Sequence, residues 1–98
     1  MRNIITYRAY ERALKDIRKI KGTKIDKDLD GIIEKLIKGE HPGNKVHNLQ
    51  KTSVVKSGLT GLKELHITGE LLLIYRHINN KLELVDICKN HKDLMKRY

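Results

Sequence analysis

The carboxyl half of the chain contains the stretch GLKELHITGELLLIY, residues 61–75. Its composition predicts two strands joined by a tight turn at Thr68 and Gly69, because apolar runs flank a turn that contains glycine. Glu64 and His66 lie two residues apart on the first strand, so their side chains share a face. The second strand is almost purely apolar, which predicts a central strand that is covered on both sides.

The length of this turn decides which residues share each face of the sheet. If Thr68 and Gly69 form the whole turn, His66 pairs with Leu71 and Glu64 pairs with Leu73. One face then carries Leu62, Glu64, His66, Leu71, Leu73 and Tyr75. The other, more apolar face carries Lys63, Leu65, Ile67, Leu72 and Ile74. We expect helices to cover the second face and to leave the first one open.

Two amphipathic helices precede the sheet. Apolar residues recur at helical spacing over residues 7–20 and again over residues 25–37. Gly22 is a natural end for the first helix, and Thr23 with Asp26 has the form that begins a second one. A short connection between two such helices predicts an antiparallel helical hairpin.

Strands are also predicted at residues 2–6 and 81–88, and a short capped helix at residues 90–95. Residues 40–58 form a predicted irregular loop, rich in turn residues. The fold class that follows is α+β. Residues 1–98 are predicted to form one domain, with an N-terminal helical hairpin packed on one face of a small, mainly antiparallel sheet and a short C-terminal helix.

The composition favours a polyanionic partner. Lys and Arg number 21 against 12 Asp and Glu, a formal net charge of +9. Four Tyr with no Phe or Trp disfavour a sheet that stacks RNA bases on aromatic rings. The single cysteine, Cys88, excludes an internal disulfide and is predicted to be a core residue. No apolar stretch is as long as that of a signal peptide or a membrane span, so we expect a cytoplasmic protein without a membrane partner.

Histidines and glutamates near the predicted sheet are candidates for proton transfer. Metal-free RNA cleavage needs a base for the ribose 2′-hydroxyl, an acid for the leaving 5′-oxygen and a group that stabilises the phosphorane. Imidazoles titrate near neutral pH and suit both proton transfers. The candidate catalytic residues are His47, Glu64, His66, Glu70 and His91.

Each candidate also has a structural interpretation. His47 could be a solvated loop residue, His66 a hydrogen-bond partner of Glu64, and His91 a helix cap. His41 and His77 are interpreted as structural. The chain has no HxH or HxxxH ligand pair, so neither a metal site nor a cofactor is expected.

The residues at 61–67, 72–75 and 90–95 resemble the YafQ branch of the RelE/ParE toxin superfamily, and the order of the elements is similar as well. The resemblance covers essentially the whole chain. It implies a toxin of a bacterial type II toxin–antitoxin pair. Such a toxin enters the ribosomal A site, cuts messenger RNA to leave a 2′,3′-cyclic phosphate, and is blocked by a cognate antitoxin.

By position, the resemblance implies that His47, His66 and His91 are the active-site imidazoles and that Glu64 and Glu70 are the carboxylates. Both carboxylates are Glu where the family pattern has Asp, and Met95 stands where the family has an aromatic residue. The predicted substrate contacts are Lys63, Tyr75, Arg76 and Met95.

The leading hypothesis is a ribosome-dependent endoribonuclease. His91 would be the general acid and His47 or Glu70 the general base, and His66, oriented by Glu64, would stabilise the phosphorane. One alternative is a ParE-like inhibitor that stops replication with messenger RNA intact. Another is a non-catalytic, basic RNA- or ribosome-binding module whose affinity depends on total Lys and Arg. Codon preference and oligomeric state are left open.

Overall fold

The chain forms an α+β structure, as predicted. The computed structural model describes residues 3–22, 24–48 and 61–97. Within these ranges the elements are β1 (Asn3–Thr6), α1 (Arg8–Lys21), α2 (Lys24–Ile37), β2 (Val46–Asn48), β3 (Lys63–His66), β4 (Leu72–Ile78), β5 (Lys81–Cys88) and α3 (His91–Arg97). The strand order is β1-β5-β4-β3-β2. β1 runs parallel to β5, and the other neighbouring strands are antiparallel.

The two N-terminal helices bury the apolar stripes that their sequences predict, with one exception. Tyr10 and Ile17 of α1 are buried, whereas Ile20 at its end is exposed. The stripe of α2 is buried at Ile25, Leu29, Ile32 and Leu36. Both stripes therefore contribute to one core beneath the sheet.

The junction between α1 and α2 is held by a glycine and an ion pair. Gly22 has a φ of 71°, and its N–H donates to the carbonyl of Arg18. The Arg18 guanidinium donates to Asp26 over 2.6 and 2.8 Å, so this carboxylate connects the two helices. Thr23, the predicted cap of the second helix, lies outside the described residues.

The predicted register of the β3–β4 hairpin is wrong by one residue. Ile67 donates its N–H to the carbonyl of Leu71, so the connection consists of three residues, Thr68 to Glu70. His66 consequently pairs with Leu72 rather than with Leu71. A slip of one residue exchanges the two faces of a strand. Leu71, Leu73 and Tyr75 therefore belong to the core beneath the helices.

The other face of the sheet has a smaller core of its own. We call it the imidazole face; it carries Glu64, His66, Leu72 and Ile74. Its apolar residues pack with Leu94 of α3, and Tyr7 closes part of it. This face is thus partly covered, in contrast to the open face that the sequence predicts.

The predicted irregular loop contains a short strand. β2 is only three residues long and pairs antiparallel with β3, with His47 opposite Glu64. Val46 pairs with Leu65 and packs against the larger core, which leaves His47 on the imidazole face. Residues 49–58 of the predicted loop lie outside the described residues. Among the helices described, none has the length and apolar character needed to cross a lipid bilayer.

Candidate active site

Three histidine rings lie in a row on the imidazole face. The ring centroids of His47 and His66 are 5.6 Å apart, and those of His66 and His91 are 5.4 Å apart. His66 is the last residue of β3, and the β2–β3 pairing sets His47 opposite Glu64, two residues before His66. Because alternate residues of a strand share a face, the two strands hold His47 and His66 side by side.

The third ring is supplied by α3. Leu72 of β4 pairs with Cys88, the last residue of β5, and the chain then turns over the imidazole face. Asn90 caps α3 by accepting the N–H of Asp93 over 2.8 Å, and Asp93 accepts the N–H of Lys89. This reciprocal cap begins the helix at His91, whose ring centroid lies 5.4 Å from that of His66.

Glu64 is a buried carboxylate next to this row of rings. Its side chain is 10% exposed, and its Oε1 lies 3.6 Å from Nε2 of His91. Glu64 and His66, both in the described part of the chain, do not hydrogen-bond each other, although one interpretation of the sequence allowed such a bond. Among the described residues, Oε2 of Glu64 and Nε2 of His66 are both buried without a hydrogen-bond partner. The carboxylate is closer to the helix histidine because α3 crosses the same face.

Glu70 lies at the edge of the same site. It is exposed in the three-residue turn, and it lines a shallow pocket of about 310 Å³ together with His66, Gly69, Asn90, His91 and Lys92. The structure therefore brings Glu70 close to two of the three predicted imidazoles. Glu70 precedes β4, so its side chain is not bound to either face of that strand.

Two of the predicted substrate contacts lie on the wrong side of the sheet. Tyr75 is 3% exposed in the core beneath the helices, where burial raises the pKa of its hydroxyl. Its ring makes an edge contact with His77, at 5.7 Å between centroids. Lys63 pairs with Tyr75 and lines a pocket with it on that side. The prediction that Tyr75 shares a face with His66 is wrong, because it assumed a turn of two residues where the structure has three.

The other two predicted contacts lie on the side of the imidazoles. Arg76 is largely buried, and its Nε donates to Oε1 of Glu83 over 2.6 Å, while the hydroxyl of Tyr7 donates to the same oxygen over 2.8 Å. Met95 is exposed on α3, four residues after His91 and hence on the same side of the helix.

Asn90 and Lys92 are site residues that the sequence pattern does not predict. Both line the pocket with His66 and His91. Lys92 adds a cation at the rim of this pocket, and its position directly after His91 is the one signal that could have indicated it. Asn90 acts through the cap of α3, which a sequence pattern predicts only as a helix start.

Comparison with known proteins identifies the family. The family model for the bacterial toxin of the type II toxin–antitoxin system, YafQ, matches residues 2–96. The chain belongs to the YafQ family. This YafQ-family chain is accordingly a toxin of a type II toxin–antitoxin system, in agreement with the resemblance that its sequence suggests.

Solved structures share the fold of this YafQ-family toxin. A metal-bound toxin from Helicobacter pylori is 27% identical, with a TM-score of 0.69 over 89% of this chain and 92% of that one. A conserved hypothetical protein from H. pylori is 28% identical, with a TM-score of 0.65 over 96% and 99%. The DinJ–YafQ complex from Escherichia coli matches at 20% identity and a TM-score of 0.71 over 89% and 91%. A search of curated proteins gives no match.

Proposed function

We propose that this toxin is an endoribonuclease that cuts messenger RNA in the ribosomal A site, in the bacterial cytoplasm, by acid–base catalysis that needs no metal. The observation that carries the proposal is the row formed by His47, His66 and His91 beside a buried carboxylate. A pure binding protein has no need for three imidazoles in mutual contact. Residues 1–98 would act as one toxin domain.

The distances suit an in-line transfer across one phosphodiester. Neighbouring ring centroids are 5.4 to 5.6 Å apart, so groups on either side of a phosphate can reach its entering and leaving oxygens. A base, His47 or Glu70, takes the proton of the ribose 2′-hydroxyl, and the 2′-oxygen bonds to phosphorus. The bond to the 5′-oxygen breaks as His91 donates a proton to it. The products are a 2′,3′-cyclic phosphate and a 5′-hydroxyl.

The remaining groups stabilise the charge that develops in this step. His66, in the middle of the row, would donate a hydrogen bond to the phosphorane, and Lys92 would add a positive charge at the rim. Glu64 would orient His91 rather than His66, since its oxygen lies 3.6 Å from the His91 ring. This role differs from the one that the sequence suggested for the carboxylate.

The partners that we propose follow from charge. A net charge of +9 favours approach to ribosomal RNA and to messenger RNA. The same charge favours an acidic segment of a cognate antitoxin, and the YafQ of E. coli is known in a complex with DinJ.

Cleavage by the purified toxin on ribosomes programmed with a defined messenger tests the proposal. We expect His91→Ala and His66→Ala each to lower the cleavage rate by about 100-fold or more, since a positioned acid or base contributes roughly 10²–10⁴. The matched control is His41→Ala, which removes an exposed imidazole on the far side of the sheet. Far-UV circular dichroism checks that the variants are folded. Full cleavage by both active-site variants would refute the proposal.

A further inference from the structure

We infer that an apolar pocket next to the imidazole row binds one of the two bases that flank the scissile phosphate, and that Ile20 forms one wall of it. We call this pocket the isoleucine groove. The inference rests on the proposed function, because it names the part of the site that would hold an RNA base rather than the phosphate.

The isoleucine groove is lined chiefly by apolar side chains. It has a volume of about 410 Å³, and its lining residues are Ile17, Ile20, Gly69, Glu70, Leu71, Lys89 and Asn90. Ile17 and Leu71 are each 3% exposed and belong to the larger core, whereas Ile20 is 70% exposed at the end of α1. A single exposed apolar residue is ordinary, but Ile20 borders the same cavity as two core residues. The groove therefore has a floor of core residues and an exposed apolar wall.

The isoleucine groove adjoins the shallow pocket at the imidazole row. The two pockets share Gly69, Glu70 and Asn90. The groove contains Leu71 of the larger core, and the other pocket contains His66 of the imidazole face, so the shared residues lie between them. A nucleotide that spans these shared residues can place its phosphate at the imidazoles and its base in the groove.

The chemistry of the groove suits a nucleobase better than an aliphatic side chain of a protein. Every base has a flat face that packs without regard to sequence, and its edge carries hydrogen-bond donors and acceptors. At the rim, Glu70 offers acceptors, Lys89 offers donors, and the side-chain N–H groups of Asn90 add donors while its oxygen caps α3. An aliphatic side chain would use none of these polar groups.

The size of the groove indicates a single base rather than a helix of a partner protein. Pockets for small ligands have volumes of ~300–1,000 Å³, and this volume of about 410 Å³ is near the lower end. An amphipathic helix docks through side chains that repeat over two turns or more, which needs a longer groove. Because most of the contact is apolar, the groove should hold a base in place rather than read its identity.

A double-mutant cycle on programmed ribosomes tests the role of the groove in cleavage. The intact messenger is compared with two messengers, each lacking one of the bases that flank the cut. We expect Ile20→Ser to lower kcat/KM on the intact messenger about fivefold, the ratio that corresponds to ~40 Å² of buried apolar surface at ~25 cal/mol per Å². On one of the two abasic messengers the same substitution should change kcat/KM by less than about twofold, because no base then contacts Ile20.

The matched control is Ile78→Ser. Ile78 is 38% exposed at the opposite end of β4 from the groove, so its substitution should leave kcat/KM unchanged on all three messengers. Far-UV circular dichroism checks that both variants are folded. An effect of Ile20→Ser that is equal on all three messengers, or absent, would overturn the groove. Unchanged cleavage with weaker neutralisation by the cognate antitoxin would also overturn it, and would assign this surface to the antitoxin.

Nuclear magnetic resonance of the purified toxin, without ribosomes, tests base binding apart from cleavage. We expect adenosine 5′-monophosphate to shift the methyl signals of Ile17 and Ile20, and ribose 5-phosphate, which lacks the base, to leave them in place. Shifts confined to the imidazole signals of His66 and His91 would overturn the groove. A toxin that cuts no RNA but shows the expected methyl shifts would refute the endoribonuclease and leave a nucleotide-binding groove. Cleavage that depends on His91 but not on Ile20 would do the reverse.

Discussion

Glu64 is a carboxylate in a place that favours an apolar side chain. It lies on β3 beside Leu62, Leu72 and Ile74, and one of its oxygens has no hydrogen-bond partner in the described part of the chain. Burial of such a group is costly unless the group is paired. The residue therefore indicates a function that outweighs its cost in stability, as residues at active sites often do.

Replacing Glu64 by Met should separate the effect of this residue on stability from its effect on cleavage. Methionine has similar length and no polar group, so we expect Glu64→Met to raise the free energy of unfolding by about 1 kcal/mol, because the unpaired oxygen is removed. Cleavage should fall by at least about tenfold, because His91 loses its carboxylate neighbour. Urea denaturation and the ribosome assay measure the two quantities. A variant that is destabilised and fully active would contradict both expectations.

At the scale of elements, the three-residue turn between β3 and β4 determines what the site contains. Gly69 has a φ of 55°, in the left-handed region that residues with a Cβ rarely adopt. The turn sets His66 opposite Leu72 and so directs Tyr75 into the core. By allowing this turn, Gly69 helps to set which side chains of β4 lie on the imidazole face.

Two glycine substitutions compare the backbone requirement at Gly69 with the ordinary cost of a glycine inside a helix. Gly69→Ala should lower the free energy of unfolding by ~1–2 kcal/mol, the cost of a left-handed conformation. Gly31→Ala, in the interior of α2 with open space around its Cβ position, should raise it by ~0.5–1 kcal/mol. Denaturation midpoints under identical conditions give both values. Equal shifts in the same direction would show that backbone conformation is not the determining factor at Gly69.

At the scale of the whole molecule, one polar cluster connects the start of α1 to the centre of the sheet. The Glu83 carboxylate accepts from both Arg76 and Tyr7, and the backbone N–H of Tyr7 donates to Leu84. Burial favours a higher pKa for Glu83, but the hydrogen bonds from Arg76 and Tyr7 outweigh burial and leave this pKa below its ordinary value. Burial and the bond to Glu83 raise the pKa of Tyr7.

This lowered pKa predicts how stability responds to acid. Glu83 is protonated more readily in the unfolded chain than in the folded one, because folding lowers its pKa. The cluster therefore stabilises the fold fully at neutral pH and loses this contribution as the pH falls below about 4.5, the ordinary glutamate pKa. We expect Glu83→Gln to cost about 2 kcal/mol at pH 7, the value of hydrogen bonds to a charged group, and progressively less toward pH 3. Urea unfolding at several pH values measures the difference. A constant difference across this range would contradict the prediction.

The local sequence pattern was sufficient to predict most of the helices and strands, but not how they pair and pack. The apolar stripes of α1 and α2, the cap of α3 and the strands around Thr68–Glu70 follow from spacing and turn residues within a few positions. The family resemblance and the geometric grouping of His47, His66 and His91 agree with these local predictions. The three-residue strand β2 is too short for its own sequence to indicate it, since it depends on pairing with β3 and on the packing of Val46 against the larger core.

What the sequence alone determined, then, is the class of fold and the family, together with a set of candidate proton-transfer residues. The tertiary structure decided which residues face one another: Glu64 meets His91 rather than His66, and Tyr75 is buried away from the site. The physical reason is the period of two in a strand. A single additional residue in the turn, closed by the hydrogen bond from Ile67 to Leu71, exchanges the two faces of β4.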